Sequence, residues 1–496
     1  MLRKDFYLLG FLWLLVLIIF LPLFYNHYIF MDEALQIWGY NSIPGYYILI
    51  DEGRWLTEVL QKWLFKFTDT VRDVTLLRLV SLFGWMLCLP IWYAVIKRQV
   101  GKVSAYEYLP FFFCVYLVTS LPFIVSVQWA TCMQFFIADT AALLSGAVAL
   151  NGIRCQNRKF KVQVPAALVS MALGVISLFF YQGAFACFLI PFLLYFINQA
   201  NSNKDATLIA GLVLYFVING VWFVLYKLSF SFIFTDIPVD PRNTLYIHPW
   251  EKFKFFMARP LERSFRFTLL THEDSIISKY YYPVMLGVLV VLAIVRFGRQ
   301  QGIKYLAAVG FIFILSYLPA LLIRESFASN RTLMALNLCV FVVCFEMAIW
   351  YIGNKRVLQI AGIAMICFFA ICARYNFQYV FLKPIVDETA ALKSYFKHHF
   401  NSGIQTIHFI RPSEDFMAEK YGVNRSMDEF GVSSSCWDWV PDPISRQFIY
   451  EATGDRKEAA RVVVKQWASK AAYLKAGEAL NSSVLLVDVP AIINRQ

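Results

Sequence analysis

Phe6-Tyr-Leu-Leu-Gly-Phe-Leu-Trp-Leu-Leu-Val-Leu-Ile-Ile-Phe-Leu-Pro-Leu-Phe-Tyr25 is an uncharged apolar run, and directly behind it comes Phe30-Met-Asp32-Glu33-Ala-Leu-Gln-Ile-Trp38-Gly-Tyr40. The run has the length that a helix needs to cross a hydrocarbon layer of about 30 Å. A turn between membrane helices has no structural need for acids, so carboxylates placed here mark a candidate site. A second polar knot, Asp51-Glu52-Gly53-Arg54-Trp55, follows on the same side.

The rest of the chain repeats the first run. Of 496 residues, 59% are apolar, 18% aromatic and 16% charged, far from the average of a soluble domain. Apolar segments near 6–25, 76–96, 106–126, 130–152, 163–181, 184–200, 206–228, 281–297, 303–323, 332–352 and 358–377 predict an α-helical polytopic membrane protein with about eleven transmembrane helices. With a cytoplasmic N-terminus the inside loops hold Arg3, Lys4, Lys97, Arg98, Lys102, Arg154, Arg158, Lys159, Lys161, Lys204, Arg296, Arg299, Lys304, Lys355 and Arg356, against Asp5 and Asp205. The net charge of +12 therefore reads as membrane topology, not as a nucleic-acid surface. An odd number of spans puts the 26–75 loop, the 229–280 loop and the tail outside. The first run is an anchor: it is too long for a cleavable signal and no small-residue cleavage site follows.

Two domains are expected, a transmembrane unit over 1–382 and a small external α/β unit over 383–496, with strands at 405–410 and 483–488 and a helix over 455–477. In the first external loop a helix from about Arg54 to Phe67 places Trp55, Leu56, Val59, Leu60, Trp63, Leu64 and Phe67 on one face and Thr57, Glu58, Gln61, Lys62 and Lys66 on the other. That pattern suits a helix lying in the interface. Most cysteines lie in or beside the spans, and Cys436 is alone in the tail. Neither Cys-x-x-Cys nor His-x-x-x-His occurs, so no metal site is assigned, although a divalent cation stays compatible with the acids.

An external carboxylate beside a hydrophobic groove, with arginines at hand, suits group transfer from a lipid-linked phosphate. The acid takes a proton from an incoming hydroxyl and a guanidinium grips the leaving phosphate. Outside the cell there is no nucleotide sugar, so such a donor must ride on lipid. Asp32 and Glu33 are the catalytic candidates, and both also suit the first turn of a helix. The donor phosphate is assigned to Arg54, Arg331 and Arg324, the external arginines nearest the span ends. Ser329-Asn330-Arg331-Thr332 adds several donors at one helix start. Asp51, Glu52, Trp38, Tyr40 and Asn330 are the substrate-binding candidates, whereas Tyr181-Gln182-Gly183 and Gln128-Trp129 read as ordinary interfacial anchors.

Taken together, Asp32-Glu33, Trp38-Gly39-Tyr40, Gly53-Arg54-Trp55-Leu56 and Ala328-Ser329-Asn330-Arg331-Thr332-Leu333 resemble the serotype-converting O-antigen glucosyltransferases of bacteria and their phages. The resemblance implies the C-type glycosyltransferase fold and a bacterial inner-membrane location with the tail periplasmic. It also implies an undecaprenyl-phosphate-linked hexose, usually glucose, as donor and a cell-surface glycan such as the O-antigen of lipopolysaccharide as acceptor. The family usually carries Asp-Asp in place of Asp32-Glu33 and Gly-Arg-Pro in place of Gly53-Arg54-Trp55. The first change keeps a carboxylate but lengthens its reach by one methylene, which favours Asp32 as base and Glu33 in support. The competing class is a transporter or flippase of lipid-linked saccharides, which would carry buried charges at mid-membrane. Here the spans are almost free of charge except Glu346, while the acids gather at one face.

Overall fold

A computed structural model describes residues 3–100, 107–156, 159–198, 203–237, 244–246, 248–271, 276–478 and 481–495. Lys102 and Arg158 of the inside-loop cations, and parts of the 229–280 loop, lie outside the described residues. The chain is predominantly α-helical, and seven helices are long and apolar enough to cross a membrane, or eight if the bent pair Leu109–Thr119 and Leu121–Gln128 is one span. Three further expected segments fall on shorter helices: Val164–Phe180, the Gln182–Ile197 stretch and Arg299–Leu315.

Packing follows from helical spacing. In the Arg3–Phe20 helix Leu9, Leu12, Leu15, Val16 and Ile19 are buried while Phe6, Leu14 and Ile18 face outward, an apolar exterior that suits lipid and not water. Its start is tied to the far end of the Val71–Val100 helix, where Tyr93 Oη and Lys97 Nζ donate to Asp5 Oδ1 at 2.8 and 2.6 Å. Trp85 and Trp92 of that helix bury their rings and donate to Ser126 Oγ at 2.8 Å and Thr140 Oγ1 at 2.9 Å, which satisfies both indoles. Close approach elsewhere needs a missing side chain: a Cβ on Gly146 would stand 2.2 Å from Phe188 O. The 50° bend falls at Ser120, whose hydroxyl caps the second half, with Pro122 just inside it.

The helix in the first loop is turned over relative to a simple amphipathic reading. Thr57, Glu58 and Gln61 of Trp55–Phe65 are buried, whereas Val59, Trp63 and Phe67 are among the exposed residues. Each polar group finds a partner inside. Thr57 Oγ1 donates to Phe180 O, Gln61 Nε2 to Thr131 O, and Glu58 accepts the N–H groups of Ile48 and Leu49. The apolar face is left for lipid.

Lys355–His399 is one continuous helix of 45 residues with a π-helical stretch at Asn376–Leu382. At 1.5 Å per residue it is roughly 67 Å long, well beyond a bilayer's hydrocarbon, so the expected 382/383 domain boundary falls inside a helix. Beyond it, Thr406–Ile410 is the central strand of a parallel three-stranded sheet, flanked by Val463–Trp467 and Val484–Asp488. The expected helix over 455–477 is replaced by Arg456–Arg461, the strand Val463–Trp467 and Lys470–Ala476. Val463-Val-Lys-Gln-Trp467 is β-prone and completes the sheet edge. An antiparallel hairpin, Ile153–Gln156 with Lys159–Val162, connects two helices elsewhere. The tail and the first loop share a core: Ile29, Ile37, Trp38 and Phe65 belong to the same apolar cluster as Leu392, Phe448 and Ile493.

Candidate active site

Asp32 opens the helix Asp32–Ser42. The turn before it is strained, since Met31 has φ 46°, a region that residues with a Cβ seldom adopt. Several bonds hold that turn. Met31 N–H donates to Ser434 Oγ at 2.7 Å, and the Glu33 carboxylate accepts N–H groups of Phe30 at 2.7 Å and Ala130 at 2.6 Å. Fully buried Glu33 also forms an ion pair with fully buried Arg78, which donates to Tyr28 O at 3.0 Å and Gln128 O at 3.1 Å. Burial raises the Glu33 pKa, opposed by Arg78 and the two amides. Glu33 is thus occupied with the fold, a supporting position.

Asp32 is different. Half-buried, it accepts one hydrogen bond from Trp439 Nε1 at 3.0 Å. Burial lifts its pKa to about 6, with Asp428 and Glu52 pushing the same way and Arg331 and Trp439 opposing. A carboxyl that titrates near neutrality can hold and release a proton at working pH.

Arg331 acts directly on this carboxylate, and Arg54 reaches the same centre through Glu52. Arg331 Nη1 lies 2.9 Å from Asp428 Oδ2 and 3.9 Å from Glu429 Oε1, with its guanidinium 4.7 Å from the Trp129 ring centre. Arg54 pairs with Glu52 at 2.6 Å, donates Nε to Gln182 Oε1 at 3.2 Å and sits 4.8 Å from the Tyr181 ring centre. The charges of both reach Tyr181 and Cys132, so the fold brings together two residues far apart in sequence. Gly53, at φ 74°, turns the chain so that Arg54 can point inward, and a Cβ there would meet the Tyr226 ring at 2.8 Å. Asp51, in the same turn, acts on Tyr226.

Sequence reasoning missed the tail's part in this centre. Asp428 and Glu429 come from residues 426–439, and Glu429 accepts Asn330 N–H, Asn330 Nδ2 and Arg331 N–H at 2.7, 2.7 and 3.0 Å. The signal was present: Met427-Asp428-Glu429 repeats Met31-Asp32-Glu33. In both copies the Met has positive φ and the Glu is fully buried and accepts backbone N–H groups. Trp129, Tyr181 and Gln182, read as anchors, are part of the centre.

Other candidates stand apart. Trp38 is buried beneath Arg456, 5.7 Å from its ring centre, and Tyr40 Oη donates to Glu58 Oε1 at 3.0 Å. Both pack the loop against its surroundings. Asn330 is engaged by Glu429. Arg324 is exposed, with its N–H on Thr244 O at 2.9 Å. Its charge acts on Tyr246, at an apolar cavity of about 430 Å³ lined by Leu245, Phe253, Phe256, Ile314 and Leu321. From that cavity Phe256 approaches Tyr317, whose hydroxyl accepts from Thr332 at 3.3 Å, one residue from Arg331.

Several buried polar atoms in the segments around the centre have no partner: Tyr46 Oη, Trp129 Nε1, Thr131 Oγ1, Ser329 Oγ and Asp428 Oδ1. Such atoms are costly unless a polar ligand or water meets them. Among the described residues no group of three or more His, Cys, Asp or Glu is arranged to hold a metal ion. No protein-family model, curated protein or solved structure matches this chain.

Proposed function

We propose that the chain is a membrane glycosyltransferase that moves a hexose from a polyprenyl phosphate to a cell-surface glycan on the outer side of a bacterial inner membrane. All eleven apolar segments cross the membrane in this reading, in a C-type arrangement. The observation that carries it is the centre itself, in which a carboxylate of raised pKa feels the charge of Arg331, while Arg54 is paired with Glu52, whose charge also reaches Asp32. Asp32 takes the proton from the acceptor hydroxyl, whose oxygen attacks the anomeric carbon. The bond from that carbon to the phosphate oxygen breaks, and polyprenyl phosphate leaves with the bonding electrons. Arg331 and Arg54 stabilise the charge that develops on the phosphate. The apolar cavity beside Tyr246 and Phe256 gives the isoprenoid a route toward Arg331. With Asp32 as the single base, a direct displacement with inversion is the simplest course.

A flippase reading draws on buried charged residues within the spans, among them Asp139 and the Arg296–Glu346 pair, whereas Arg78 is committed to Glu33 beside the centre. The test is to incubate purified protein with a panel of polyprenyl-phosphate sugars and to measure polyprenyl phosphate released. Release from one donor supports transfer. Movement of the intact donor across a proteoliposome bilayer without release supports the flippase.

A further inference from the structure

The Asp32 carboxylate does not face open solvent alone. Trp439 holds it by a hydrogen bond, is itself 42% exposed, and stacks on Trp437 with ring centres 5.2 Å apart and planes 21° from parallel. A flat, rigid, two-ring surface therefore stands at the candidate base. Further along the Asp32–Ser42 helix, and at the start of the helix that follows Trp439, lies a cavity. Leu35 on the Asp32–Ser42 helix and Asp442 and Pro443 on the helix Pro441–Thr453 line it, with Asn41, Arg446 and Lys457, in a volume of about 540 Å³. Leu35 lies three residues after Asp32, on the same helical face, and Asp442 lies three after Trp439. The cavity is thus lined by the residues that come next along both segments after the Asp32···Trp439 contact.

We infer that this cleft is the acceptor subsite: one pyranose stacks on Trp439 with a hydroxyl at Asp32, and the preceding sugars run between the two helices. The chemistry fits a neutral or weakly charged oligosaccharide. The C–H face of a pyranose is slightly positive and packs on the negative face of an indole ring, while a cleft lined by amide, carboxylate and guanidinium groups meets the ring hydroxyls. Two of the three lining cations are paired, Arg446 with Asp442 at 2.9 Å and Arg456 with Asp69 at 2.5 Å, so the cleft is only weakly basic. The Trp439 Nε1–H holds the Asp32 carboxylate toward the acceptor. This assignment rests on the glycosyltransferase reading for its reaction, but not for its binding.

The experiment measures binding and turnover separately. A panel of defined hexose and N-acetylhexosamine trisaccharides is titrated against the full-length protein in detergent, read by calorimetry, and polyprenyl phosphate release is followed with and without the bound trisaccharide. Trp439→Ala should weaken trisaccharide binding and raise its KM by about tenfold, the worth of an aromatic contact. Trp439→Phe keeps the ring and should recover most of the binding. Ala460→Trp, which fills the cleft from an exposed position on Arg456–Arg461, should weaken trisaccharides more than the matching monosaccharide. No trisaccharide bound by wild-type protein, or affinities unchanged in both Trp439→Ala and Ala460→Trp, overturns the assignment. Trisaccharide binding that depends on Trp439, in a protein that releases no polyprenyl phosphate from any donor, upholds the cleft and overturns the transferase reading instead.

Discussion

Replacing Asp32 by asparagine should make the protein more stable and almost inactive at once. The raised pKa of about 6, against an ordinary 3.8, means that the fold disfavours the ionised form. Below about pH 4 both folded and unfolded chains carry the proton and Asp32 costs nothing. Between about pH 4 and pH 6 the unfolded chain releases it while the folded chain keeps it, so stability falls as pH rises through this window and stays lowered above it. Two pH units correspond to about 3 kcal/mol, and partial exposure with screening reduces this to about 1–2 kcal/mol. Asparagine keeps an oxygen for the Trp439 bond and removes the charge. At pH 7.5 the apparent Tm of Asp32→Asn in detergent should exceed that of wild type by a few degrees, and the gap should close near pH 4. Turnover should fall by about 10²-fold or more, with wild-type kcat/KM declining roughly tenfold per pH unit below pH 6. A variant of equal or lower Tm at pH 7.5, or one that keeps its turnover, would refute the reasoning and move the role to Asp51 or Glu52.

Glu33→Gln should do the opposite: it leaves the Arg78 guanidinium buried without its counter-charge, a loss of about 3–5 kcal/mol, seen as poor yield of folded protein. Arg331→Lys and Arg54→Lys should each weaken donor use almost as much as alanine does, because an ammonium cannot make two parallel bonds to a phosphate; normal donor KM in Arg331→Lys would count against a phosphate role. Cys436 is buried and its thiol pKa is raised by burial, so a membrane-impermeant thiol reagent should leave it unlabelled. A cysteine at exposed Lys475 should react from outside in intact cells, and labelling only in inverted vesicles would reverse the proposed orientation.

The sequence made the membrane class and the first-loop acids readable because both are local: apolar runs and a charge cluster need no knowledge of distant partners. It also separated Asp32 from Glu33 by chemistry, but could not say that Glu33 meets Arg78, since that ion pair joins two helices through the interior. The inverted face of Trp55–Phe65 escaped for a related reason. Amphipathic periodicity identifies two faces, and which one turns inward depends on whether the surroundings are water or lipid. The tail's contribution was hidden by its soluble composition, which marked 383–496 as an appendage although Asp428, Glu429 and Trp439 enter the centre. Trp38 and Tyr40, prominent as aromatics beside acids, serve packing: Trp38 lies under Arg456 of the tail, and Tyr40 packs on Phe65 and bonds Glu58 within the loop.

The meeting of residues 26–33 with residues 426–439 has a consequence for the chain as it is made. Asp32 leaves the ribosome long before Asp428, by roughly 20–80 s at about 5–20 residues per second. Throughout that interval the turn at Met31 lacks Ser434, and Arg331, once made, lacks its two acids. A half-made protein therefore carries its base without the partners that position it. A chain that ends before residue 426 thus holds Asp32 without Asp428, Ser434 and Trp439, and on the proposed reading such a product should not turn over.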